Sequence, residues 1–480
     1  MNNTKVIWIA LVGILVLTFV LRLYHLTNPI ADWHAWRQTD TAAVSKIYIE
    51  KGIDLAHPQY FDISNVQSGH DNPHGYRFVE FPLFNLIHVG IFTLIPSLGI
   101  DATARLTTIL FSVLATLFIF LIVRKYSSIR AAFVAATLYA ILPYSVYYGR
   151  AVLPDTAMIA SVLASIYFFS LWSEKKFSVL HAKKEIIGTL IFTMVSLLFK
   201  PYAFFFLLPM AVVAFETHGI SVLKKISVWI VAVLSVIPFV LWRVWILQYP
   251  EGIPVSAWLL NGGDIRFKGA YFYWIFGERI SKLISGYFPV FLFLGLLRRP
   301  KEKHFFFFLS FLVSSLLYLI VIARGNVQHD YYQIAIIPSI VILMGRGVDF
   351  ILTQQDKLNK VIAYTLVGGV TGLMIMLSWY HVRDYFNINN PLLVQVGKRA
   401  DQILPKDAKV IAPLDGDTTF LYYINRQGWP SYQASTEDLI KKGATHTVML
   451  HPSEDTVKEY EQKYTVLEKT DEYIIVAHKK

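Results

Sequence analysis

The sequence has no cysteine. That excludes disulfides, thiolate metal sites and cysteine nucleophiles. Charge is also scarce: 16% of the 480 residues are Asp, Glu, Lys or Arg, against about 25% in a soluble domain. No internal repeat stands out, and the C-terminal part carries no nucleotide-binding glycine signature. Acids are fewer than bases, 33 against 44, which leaves a net charge of +11. The excess Lys and Arg cluster in short loops between apolar runs, where they orient a membrane protein rather than bind nucleic acid.

Hydrophobic residues, in contrast, make up 55% of the chain. Length alone suggests about three soluble domains. The apolar runs overrule that, because many reach the roughly 18 to 20 residues that cross a bilayer. The run at 6–24 has no small-residue cleavage site after it and reads as a retained first span, with Arg22 snorkelling near its end. Further spans are predicted at 104–123 and 131–148, then one after the outer turn at Arg150 and Asp155 that ends at about Trp172, and at 186–199, 202–215, 228–246, 287–297, 305–323, 334–350 and 361–379. That is about eleven, with the N-terminus inside and the C-terminus outside by the positive-inside rule. The stretch 82–100 contains Asn85, His88 and Pro96. Read as non-crossing, it keeps Arg124, Lys125 and Arg130 inside, along with Lys175, Lys176, Lys183, Lys184, Lys224, Lys225, Arg298, Arg299, Lys301, Lys303, Lys357 and Lys360.

Two long loops fall outside. The first, 25–80, begins with Asp32-Trp33-His34-Ala35-Trp36-Arg37-Gln38-Thr39-Asp40-Thr41. In it Thr41, Val44, Ile47 and Tyr48 have helical spacing, which predicts an amphipathic helix along the interface. Residues 57–76 read as irregular loop. The second, 248–285, holds Asn261-Gly262-Gly263-Asp264 and an aromatic run at 271–276. From 391 the pattern changes to short strands (409–412, 447–450, 473–477) alternating with helices (392–403, 453–463). The expected fold class is a polytopic α-helical membrane protein, residues 1–385, with a small extracytoplasmic α/β domain, residues 386–480.

The polar groups that look out of place all fall on the outer side. They are Asp32, His34, Arg37, Gln38 and Asp40; Glu80 in Glu80-Phe81-Pro82; Arg150 and Asp155; Lys200 before Pro201; and Arg324, His329, Asp330, Tyr331 and Tyr332. Ionisable groups at membrane depth mark substrate paths. Each also has a plainer reading. Asp32 suits a helix N-cap, and Asp40 a solvated helix face. His34 suits a hydrogen-bonded surface histidine, and Trp33, Trp36, Tyr331 and Tyr332 an aromatic belt. Glu80 could pair with Arg77, and Arg150 with Asp155. Lys200 and Arg324 could snorkel. What separates the readings is that the groups gather on one face.

The order of these segments resembles a known family. A first span precedes a long outer loop with an early acid, then Glu-x-Pro entering an apolar helix, an Arg-x(4)-Asp turn, and Lys-Pro. Last comes His329-Asp330-Tyr331-Tyr332-Gln333 before a span bearing Pro338. This resembles the C-type glycosyltransferases, in particular the family 39-like group of protein O-mannosyltransferases and the lipid A aminoarabinose transferase. The resemblance covers residues 1–380 and implies inverting transfer from a polyprenyl-phosphate sugar donor to a protein, lipid or surface glycan at the outer face of the plasma membrane. It makes Asp32 the leading base, with Asp40 the alternative, and gives Glu80 a divalent metal. It assigns Arg37, Lys200, Arg324 and His329 to the lipid phosphate, and Tyr331 and Tyr332 to phosphate or sugar. His34, Gln38, Arg150 and Asp155 complete the substrate-binding set. Phe81 stands where the aminoarabinose branch has Lys. A polytopic transporter or flippase, a glycan ligase or polymerase of another fold, and a non-catalytic assembly protein are the competing readings.

Overall fold

The computed structural model describes residues 3–297, 303–354 and 358–478. Arg298, Arg299, Lys301 and Lys357, counted above as inner-side markers, lie outside the described residues. Among those described, seven helices are long and apolar enough to cross a membrane: Thr4–Arg22, Ile100–Tyr126, Asp155–Glu174, Pro201–Lys224, Ile226–Ile246, Asp330–Thr353 and Lys360–Val382. Leu83–Leu94, Ile129–Ile141 and Phe305–Val321 are shorter apolar helices.

The difference from the expected eleven has local causes. Pro143 opens a new helix, Pro143–Tyr148, after Ile129–Ile141 and so splits the third expected span; a proline cannot donate the bond that would continue a helix. Lys183–Phe199 stops after 17 residues at Lys200, which is extended because Pro201 follows. In the eighth expected span the described helix is Val290–Gly295, six residues, too short to cross alone.

The chain divides into two compact units, each assembled from separate stretches. The first comprises Met1–Leu26, Arg105–Trp242 and Ser256–Phe386. Its interior is set by small residues. A Cβ on Gly345 would lie 2.6 Å from the Ala131 carbonyl and 2.8 Å from the Ala135 Cβ. Without it, Ile337–Thr353 lies directly on Ile129–Ile141, the close approach that small residues permit between membrane helices. Arg22, expected to snorkel, is instead fully buried. Its guanidinium donates to the carbonyls of Thr18, Ala140, Tyr139 and Ser145 and to the Ser145 hydroxyl. Carbonyls released at two helix ends give the cation more acceptors than the interface would.

The second unit comprises Thr27–Ala104, Arg243–Val255 and Asn387–Lys480. Its sheet contains β1 (Val410–Ile411), β2 (Gly428–Trp429), β3 (His446–Leu450), β4 (Thr465–Lys469) and β5 (Tyr473–Ala477), in the order β2-β1-β3-β5-β4. β1 runs parallel to β2 and β3, while β5 is antiparallel to β3 and β4. Helices Pro391–Ile403 and Glu454–Lys463 form where their spacing predicts, capped by Asn390 and Ser453. β2 is too short, and β4 too polar and exposed, for an apolar pattern to announce them.

The first loop, which the sequence groups with the membrane part, folds here with the strands. The Gly428 N–H donates to Phe61 O (2.8 Å), and the Ile63 N–H donates to Gly428 O (3.0 Å). Ile63 enters a core with Ile411, Trp429, Leu439 and Ala444. The expected interfacial helix at 41–48 is also different. It runs Ala35–Lys51 and is buried along most of its length, including Arg37, Gln38 and Asp40. Leu83–Leu94 and the short helix Thr419–Ile424 pack on it, so its polar groups find partners in protein rather than at a lipid surface.

Candidate active site

In the second unit, the candidate acids sit at the start of the Ala35–Lys51 helix. Asp32 does not cap it. That position is taken by His34, in the left-handed region at φ 56°, with no side-chain capping bond. A non-glycine residue there is uncommon and costs strain. The Asp32 carboxylate is buried, and its Oδ1 accepts from Gln38 Nε2 at 2.7 Å. The same Nε2 donates to Trp33 O at 2.9 Å. Asn389 holds the segment from the other side, its N–H on Ala31 O (2.8 Å) and its Nδ2 on Asp32 O (3.0 Å). Trp33 remains 39% exposed beside the His34 ring.

Asp40 is not on a solvated face. It is buried, with Oδ2 2.7 Å from Arg77 Nη2 and Oδ1 accepting from Thr418 Oγ1 at 2.6 Å. Arg77 also lies 5.0 Å over the Tyr60 ring. Glu80 pairs with Arg37 rather than Arg77, and Arg37 Nη1 donates to Thr41 Oγ1 at 2.9 Å. Asn85 ties the Leu83–Leu94 helix to this one through Thr41 O (2.7 Å) and Ser45 Oγ (2.9 Å). Below the helix Asp62 is buried, and burial pushes its carboxyl up to about 6.

A divalent ion fits Glu80 poorly. Its carboxylate faces a guanidinium, and among the described residues no group of three or more His, Cys, Asp or Glu could hold a metal. Hard cations take several oxygen ligands, and an arginine at the site repels them.

The first unit carries a separate group. Asp155 begins the Asp155–Glu174 helix, where the helix dipole favours an acid. Its partner is Lys200, Nζ to Oδ2 2.9 Å, both side chains buried. The expected Arg150–Asp155 pair does not form. Arg150 Nη2 donates to His25 O at 2.8 Å, and its guanidinium lies 5.2 Å over the Phe386 ring. Lys200 Nζ lies 5.6, 5.9 and 5.8 Å from the ring centres of Tyr202, Tyr331 and Tyr332, close enough for cation–π attraction. Tyr331 and Tyr332 stack at 4.6 Å, and His329 stacks on Tyr331 at 5.5 Å. The stem of Arg324 lies against Gly262.

Asp330, conspicuous in the sequence, leads into this stack, but no sequence pattern singles out the tyrosines that bind it. Asp330 accepts from the hydroxyls of Tyr148 (2.7 Å) and Tyr385 (2.6 Å), and its carbonyl accepts from Tyr144. Tyr144 and Tyr148 lie 186 and 182 residues from Asp330, so no local pattern joins them to it. Asn389 and Thr418 leave no such pattern either, since their partners lie 357 and 378 residues away.

Residues 82–245 match the family described as dolichyl-phosphate-mannose-protein mannosyltransferase. A search of curated protein sequences found no match. Among solved structures, ArnT from Cupriavidus metallidurans bound to undecaprenyl phosphate aligns with a TM-score of 0.68 at 14% identity, over 99% of this chain and 98% of that one. The apo form aligns at 0.65 and 15% identity. The oligosaccharyltransferase AglB from Archaeoglobus fulgidus, in complex with an inhibitory peptide and a dolichol-phosphate, aligns at 0.59 and 12% identity, over 95% of this chain and 72% of that one. At such identities the likeness is one of fold. It agrees with the matched family segment and with the resemblance in the sequence to C-type glycosyltransferases.

Proposed function

We propose, with a membrane-embedded C-type glycosyltransferase fold as the premise, that this protein transfers a sugar from a polyprenyl-phosphate donor to an acceptor on the outer face of the plasma membrane. The observation that carries the reading is the buried Lys200–Asp155 pair under the Tyr331–Tyr332 stack. A buried ammonium rimmed by tyrosines suits a lipid phosphate, and Asp155 holds it in place until the phosphate arrives. A polyprenyl tail stays in the bilayer, so the protein must meet the donor there.

Asp32 is the base in this reading. Asp40 has an arginine and a threonine hydroxyl on its two oxygens and serves structure. Asp32 takes the proton from the acceptor hydroxyl or amine. The acceptor atom attacks the anomeric carbon opposite the phosphate, the bond from that carbon to the phosphate oxygen breaks, and the configuration inverts. The charge that collects on the leaving polyprenyl phosphate calls for a cation, and Lys200 is the candidate for that role. No step passes through a metal.

The test is to incubate purified protein with undecaprenyl-phosphate-linked hexoses and pentoses in the presence of membrane extract, and follow donor consumption by mass spectrometry. Turnover by wild type, retained in part by Asp40→Asn and abolished in a folded Asp32→Asn, is the expected result. Full activity in Asp32→Asn overturns the base assignment. Movement of lipid-linked sugar across proteoliposomes without covalent transfer overturns the enzyme reading.

A further inference from the structure

Gln38 lies one turn into the Ala35–Lys51 helix and is 1% exposed. Burying a primary amide is costly unless its hydrogens are used. Here one nitrogen serves two acceptors six and five residues back, Asp32 Oδ1 and Trp33 O. Those acceptors flank the peptide just before the left-handed His34. The bond to Oδ1 restrains the Asp32 side-chain torsions, and the bond to Trp33 O restrains the backbone that carries it. Asn389 adds two bonds to the preceding carbonyls, from a segment far along the chain.

We infer that Gln38 is a positioning residue: its buried amide, with Asn389, clamps the Asp32-Trp33 segment so that the carboxylate is held in one orientation before substrate binds. The inference rests on Asp32 being the base. Orientation of a reacting group contributes to the barrier, not to ground-state affinity, and a misplacement of about 1 Å can cost about a hundredfold in rate. The clamp therefore acts on kcat. Gln38, expected from its position to touch substrate, works through Asp32 instead.

The experiment compares full-length wild type with Gln38→Ala, Gln38→Glu and Asn389→Ala. Gln38→Glu keeps the side chain's size but puts an acceptor where the donor was. With the undecaprenyl-phosphate sugar that wild type consumes, Gln38→Ala lowers kcat roughly ten- to hundredfold with donor and acceptor KM within about twofold, and Gln38→Glu lowers it at least as far. Asn389→Ala gives a smaller fall in the same parameter. Hydrogen exchange, read in parallel, speeds up across residues 31–38 in Gln38→Ala and stays unchanged in β3 and β5. A raised acceptor KM at constant kcat would make Gln38 a substrate contact and overturn the proposal, as would wild-type kcat in both Gln38 variants. If wild type consumes no donor, the glycosyltransferase reading fails, while unchanged exchange at 31–38 sinks the clamp independently.

Discussion

Replacing Arg77 by Met strips the buried Asp40 carboxylate of its one described ion-pair partner. Both side chains are shielded, 7% and 0% exposed, and the separation is 2.7 Å. Thr418 still donates to Oδ1, but one neutral hydrogen bond does not replace a guanidinium. Removing one member of a buried pair costs about 3–5 kcal/mol, because a desolvated charge is left uncompensated. For a unit of 150–250 residues, each kcal/mol lowers the melting temperature by about 2–4 °C, so the expected fall is roughly 6–20 °C. The double variant Asp40→Asn/Arg77→Met removes both charges and keeps a side chain that can accept from Thr418. It should recover a good part of the loss. The assay is thermal unfolding of detergent-solubilised protein, read as a double-mutant cycle. Additive effects, with the double variant as unstable as the two singles summed, would refute the idea that Asp40 is held by the pair and would reopen it as a candidate base.

Two further outcomes follow from single groups. The Asp62 carboxyl sits at about 6 in the fold against 3.8 outside it. The folded state thus binds the extra proton between those values, and the stability from Asp62 is lost as pH rises through about 6, by up to about 3 kcal/mol. Asp62→Asn should flatten that part of the stability–pH curve and raise the melting temperature at pH 7; a slope identical to wild type would count against it. Donor consumption should persist in EDTA, since Glu80 is committed to Arg37. Loss of turnover on chelation, restored by one divalent metal, would show that the pair opens to admit an ion.

The parts of this chain legible in its sequence are those that depend on neighbours in sequence. Apolar runs appear as helices because a bilayer rewards length and composition, and the Asn390 and Ser453 caps form because a cap needs partners only three residues on. Asp32, Asp40, Glu80, Asp155 and Lys200 stood out because charge is conspicuous in apolar sequence. Their partners did not. Glu80 meets Arg37 and not Arg77; Asp155 meets Lys200 and not Arg150; Arg22 turns inward to carbonyls. Pairing is decided by which surfaces the packed helices bring together, and the nearest opposite charge in sequence has no privilege in that choice.

The sequence by itself determined that the chain is a membrane protein with a strand-bearing C-terminal part, and which few polar groups are conspicuous in apolar surroundings. Only the tertiary structure decided that the first loop folds with that C-terminal part. It also showed that Asp40 is clamped between Arg77 and Thr418, and that Gln38 and Asn389 hold Asp32. These contacts bridge up to 378 residues. Local patterns cannot encode them, because a hydrogen bond across that distance exists only once the intervening chain has folded and brought donor and acceptor within about 3 Å.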